Sequence, residues 1–84
     1  MLQNSVAMVE TAYLLIALDR NTPAAVARDV LRVPGVVRAS VTMGEFDVIA
    51  IAEHEDTKRF PGISAAVRRI EGVRTVITCV VVTP

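Results

Sequence analysis

Two short runs constrain this chain more than anything else in it. AYLLIAL, residues 12–18, is apolar at every alternating position, and so is FDVIAIA, residues 46–52, apart from Asp47. A strand with no polar face belongs in the interior of a sheet covered on both sides. Both runs are far shorter than the roughly 20 residues a membrane-spanning helix needs. The chain has 84 residues, 52% of them apolar, with a mean hydropathy of +0.49. A domain of this size hides only about 60–65% of the surface its unfolded chain exposes. The aliphatic surplus is therefore expected to be buried against another copy of the chain.

The remaining segments read in order. Residues 1–11 form a leader, flexible in expectation, in which Met8 is an alternative start; they lack the pattern of a signal peptide. After the first strand, DRNTP supplies turn residues, with Thr22 as N-cap and Pro23 opening a helix. Val26, Ala27, Val30 and Leu31 make its apolar stripe, and Pro34-Gly35 stops it. In VVRASVTM, Val37, Ala39, Val41 and Met43 alternate with Arg38, Ser40 and Thr42, a strand with one wet face. Gly44-Glu45 fits a two-residue type II′ hairpin loop into the dry strand from Phe46 to Ala52. A polar EHEDT leads to a second helix with Phe60, Ile63, Val67 and Ile70 on its buried side and Pro61 in its first turn. Gly72 ends that segment, and VRTVITCVVV is the last strand.

The order is βαββαβ, and it repeats: VPGVVRASV at 33–41 answers IEGVRTVIT at 70–78. Two βαβ halves of this kind define an α+β, ferredoxin-like sandwich. The dry first and third strands go to the centre and the other two to the edges. Two helices cover one sheet face, so the other is expected to meet a partner's sheet, in a dimeric α+β barrel arrangement. The apolar edge expected of the fourth strand also invites a partner.

Composition excludes several functions. Nine basic residues balance nine acidic ones, a poor footprint for nucleic acid, and the middle strands lack the aromatic platform of an RNA-binding sheet. The lone Cys79 forms no internal disulfide, fits a reducing cytoplasm, and is expected to be an inert buried thiol. With one histidine, His54, in a polar loop, no metal site and no cofactor are expected. Ser5, Ser40 and Ser64 have no recognisable base, and Asp47 and Glu53 lie about 20 Å apart on an extended strand, too far for joint acid–base work. An enzyme is not expected. Arg28, Arg32, Arg68 and Arg69 read as solvated helix faces.

Asp47 is the residue left over. An acid opening a dry strand needs exposure or hydrogen bonds. It either caps its own hairpin by accepting backbone N–H bonds, or faces a cleft between subunits and holds a small polar ligand; the two are compatible.

VTMGEFDVIAIAE resembles the Gly-x-aromatic-Asp element of the effector-binding (RAM) domain of Lrp/AsnC-type transcription regulators. EGVRTVIT resembles the Gly-Val-x-x-Thr-x-Thr segment of that domain's last strand, and VPGVVRASV the lead into its second. The likeness covers about residues 12–82. It implies a domain that dimerises through its sheets, often into octameric or decameric rings, and binds an amino acid or related metabolite between subunits. Met43, Gly44, Glu45, Phe46, Asp47 and Thr78 would then contact ligand. Phe46 stands where tyrosine is common, and Val76 replaces the first threonine. With about eleven residues before the first strand, 12–84 is expected to be a stand-alone effector domain without a DNA-binding domain, one that modulates full-length regulators. The alternatives are a small dimeric α+β barrel enzyme, monooxygenase- or isomerase-like, and a purely structural oligomerisation domain. The amino-acid-binding ACT fold shares the βαββαβ order and differs by the turn motif.

Overall fold

The computed structural model of the chain describes residues 8–82. The expected leader lies mostly outside them, and its last two residues already belong to the first strand. The elements are β1 (Glu10–Leu18), α1 (Pro23–Leu31), β2 (Val36–Val41), β3 (Val48–His54), α2 (Phe60–Arg68) and β4 (Val73–Val80), with a short 3-10 turn at Thr57–Arg59 ahead of α2. This is the expected βαββαβ sandwich.

The sheet order is β2-β3-β1-β4, with every pairing antiparallel. The two dry strands lie in the middle, as their lack of a polar face demands. Ala12, Leu14 and Ile16 of β1 and Val48, Ala50 and Ala52 of β3 are fully buried on one face. There they meet Val26 and Val30 of α1 and Phe60, Ile63 and Val67 of α2 in a single core. These side chains fall at helical spacing, so each helix turns one stripe to the sheet; Leu31, expected on the stripe of α1, lies at its margin and is exposed.

The repeat in the sequence is a repeat of hydrogen bonds. Arg32, Val33 and Val36 donate their N–H groups to Asp29, Val30 and Val33; Arg69, Ile70 and Val73 donate to Ala66, Val67 and Ile70, 37 positions on. Gly35 and Gly72 both take a left-handed conformation, φ +98° and +95°. Thr22 caps α1 as expected, its Oγ1 accepting from the Ala25 N–H at 3.3 Å.

Three expectations are corrected. The hairpin is wider than a two-residue II′ turn: the last ladder pair is Val41–Val48, Thr42 N–H donates to the Asp47 carbonyl at 2.9 Å, and Met43–Phe46 form the loop. Phe46 and Asp47 thus precede the third strand. In β2 the register shifts between Val36 and Arg38, so Val36 is buried while Val37 is 52% exposed; Val41 and Met43 are exposed as well. A bulge changes which side chain faces the core, and it turns Val37 away from it. Ala39 and Val41 keep the helix-covered face, opposite Ala50 and Val48, and Val41 is exposed there because β2 is an edge strand. Cys79 is exposed, because its register partner Tyr13 lies on the sheet face that neither helix covers.

Candidate functional site

The hairpin loop is built around Asp47. Its N–H donates to the Ile16 carbonyl at 2.9 Å, and its Oδ2 accepts the Leu18 N–H at 2.8 Å. The carboxylate therefore stands in for a strand partner where β3 has ended and β1 continues. Asp47 does cap backbone, but that of β1 rather than of its own hairpin. Thr42 holds the other side of the loop, its hydroxyl donating to the Phe46 carbonyl at 2.7 Å. Between these ties the chain is open: Met43, Gly44 and Glu45 are exposed, Phe46 is half-buried, and Gly44 has φ +144° with nothing within 4 Å of where a Cβ would lie. Among the described residues, the Gly44, Glu45 and Phe46 N–H groups have no acceptor. The loop offers amide donors beside a carboxylate of which one oxygen is committed to Leu18.

Thr78 lies elsewhere. It sits on β4, the edge strand opposite β2, paired with Leu14 and so turned toward the helices. Its hydroxyl is hydrogen-bonded to that of Ser64, a buried residue of α2. Both line an open cavity of about 610 Å³ with Thr57, Phe60, Pro61 and Arg68. One chain thus brings Met43, Gly44, Glu45, Phe46 and Asp47 together and leaves Thr78 apart. Sequence reasoning missed Ser64 and Arg68 as its neighbours; their only signal was a seryl hydroxyl on the otherwise apolar stripe of α2.

The uncovered sheet face is the second feature. Register places Tyr13 and Leu15 beside Ile49 and Ile51 on one side and Ile77 and Cys79 on the other. Tyr13 is 43% and Ile77 48% exposed. Six adjacent side chains of this kind form an unusually apolar surface for a small domain. No helix of the described residues is long and apolar enough to cross a membrane.

No curated protein matches the sequence. Among solved structures, TTHA0845 of Thermus thermophilus is similar with a TM-score of 0.81 at 21% identity, over 89% of this chain and 95% of that one. A hypothetical protein of Pyrococcus horikoshii, PHS023, gives 0.76 at 26% identity, over 92% and 93%. The transcriptional regulator NMB0573 of Neisseria meningitidis, in complex with L-Met, gives 0.75 at 19% identity; 99% of this chain covers 57% of that regulator. At 21% and 19% identity the likeness is one of fold. The sequence profile of the Lrp/AsnC ligand binding domain, however, matches residues 11–83, from the second residue of β1 to past the end of β4. The chain belongs to the Lrp/AsnC ligand-binding domain family.

Proposed function

We propose that the domain senses an amino acid or a closely related metabolite, that it does so as an oligomer, and that it modulates full-length Lrp/AsnC-type regulators. The observation that carries the reading is the loop at Gly44–Asp47: three amides without an acceptor among the described residues, beside a half-engaged carboxylate. The amides suit a ligand carboxylate and the free oxygen of Asp47 an α-ammonium, both as charge-assisted hydrogen bonds. The loop is open on its outer side, so a second subunit is needed to enclose a ligand and to bring Thr78 to it. The apolar sheet face supplies a reason to dimerise, since about 25 cal/mol is recovered for each Å² of apolar surface removed from water. A dimer through these faces would bury Cys79, and further contacts at the hairpins would close a ring.

The test is a thermal-shift screen of the protein against the common amino acids, with Asp47→Asn alongside. Asparagine keeps a carbonyl oxygen for the Leu18 N–H but loses the charge. A ligand raises the melting temperature by mass action. One or a few amino acids should do so, and Asp47→Asn should melt close to the parent while losing the shift. No shift from any of them at millimolar concentration would defeat the sensing reading and leave oligomerisation alone. Asp47→Ala is the less useful variant: it leaves the Leu18 N–H without its acceptor and should cost about 1–3 kcal/mol with or without ligand.

A further inference from the structure

Away from the hairpin and the open face, a groove of about 620 Å³ runs between the α1–β2 turn, the end of β3 and the start of α2. Its apolar lining comes from Val33, Pro34, Ile63 and Ala66, and its polar groups are His54, Lys58 and Arg59. Among the described residues no carboxylate lines it. The chain as a whole carries no net charge, so this local excess of cations reflects placement rather than a basic protein.

The nearby acids Asp56, Glu53 and Glu55 are not among the residues that line it. Asp56 accepts the Lys58 backbone N–H on Oδ1 at 3.0 Å. Glu53 and Glu55 line a separate cavity of about 370 Å³ that shares only His54 with the groove. Among the described residues the one ion pair joins Arg32 to Asp29, so Lys58 and Arg59 have no carboxylate partner. His54 adds a donor. Its Nδ1 accepts the Asp56 N–H at 2.9 Å, which puts the proton of the neutral ring on Nε2. Gly62, in the first turn of α2, is exposed, and a Cβ there would have nothing within 4 Å.

We propose that this groove binds a small organic anion: a carboxylate met by Lys58, Arg59 and the Nε2–H of His54, with an aliphatic body against Val33, Pro34, Ile63 and Ala66. The groove's size suits a small metabolite. A free amino acid fits poorly, because its ammonium would stand close to two cations with no acid to receive it. That is the contrast with the hairpin, where Asp47 is present. The groove is a second site, and it does not depend on the amino-acid reading of the first.

Isocaproate and leucine separate the two chemistries, since they share a carbon skeleton and differ by the ammonium. Backbone amide shifts of the labelled protein would be followed with each, and with inorganic phosphate as an anion lacking an apolar body. Isocaproate should move the Gly35, His54, Arg59 and Gly62 amides saturably, with leucine and phosphate each weaker by about tenfold or more. Raising the salt should weaken isocaproate, because the cations are exposed. Lys58→Glu combined with Arg59→Glu should abolish the response. So should Gly62→Leu, which places an apolar side chain at the groove without altering a charge, at a position where a Cβ meets nothing within 4 Å. Leucine or phosphate equal to isocaproate, no response to isocaproate, or a response that survives either variant would overturn the proposal.

Discussion

Gly35 and Gly72 occupy the same place in the two halves of the molecule. Each leads out of a helix into an edge strand, and each has nearly the same positive φ. Their surroundings differ. A Cβ at Gly72 would lie 2.5 Å from the Arg20 carbonyl oxygen and 2.8 Å from the Asn21 Cβ. That backbone is tied down by the Asp19 N–H, which donates to the Gly72 carbonyl at 3.0 Å. A Cβ at Gly35 would meet the Cδ1 of Ile63 at 2.6 Å, the far end of a side chain, with the next contact at 3.4 Å. Backbone conformation requires glycine twice, and close packing of two turns requires it once more.

The largest effect should therefore come from Gly72→Ala. It combines a left-handed alanine with a clash against immobile backbone, and a loss of about 3 kcal/mol or more is expected, read as the midpoint of urea denaturation. Gly35→Ala should cost about 1–2 kcal/mol, because Ile63 can give way. Ile63→Val removes the offending methyl, and alone it should cost about 1 kcal/mol. In the Gly35→Ala background it should cost little or even restore stability. Additive behaviour of that pair would break the comparison.

The two helix starts extend it. Thr22 caps α1 with its side chain, whereas Arg59 at the corresponding position of α2 makes no such bond. Thr22→Ala should lose about 1 kcal/mol, and Arg59→Ala should change thermal stability by less than about half of that. The smallest effect is a gain: Gly62→Ala, in the open first turn of α2, should stabilise by about 0.5 kcal/mol. A loss there would mean that the helix start is packed more tightly than its geometry indicates.

Much of this was readable along the chain, because it follows from neighbours. Strand order came from the polarity of AYLLIAL and FDVIAIA, helix stripes from spacing, and the turns from Thr22, Pro34-Gly35 and Gly72. The candidate site was readable in part. The run from Met43 to Asp47 came from a motif, and the structure does gather it into one loop; Thr78 came from a second motif, and the fold places it on the opposite edge. Nothing in the residues around position 54 pointed to a cationic groove, because its walls come from three separate elements.

What the sequence by itself determined is the order of elements, the two central strands and the glycines that end the two helical segments, all consequences of local sterics and of which faces must be dry. Tertiary structure decided the width of the hairpin, the bulge at Val37, the exposure of Cys79 and the role of Asp47. Asp47 shows the physical reason. Its carboxylate answers a backbone N–H that lies 29 residues away, and a hydrogen bond to so distant a residue comes into being only when folding brings the two strands side by side.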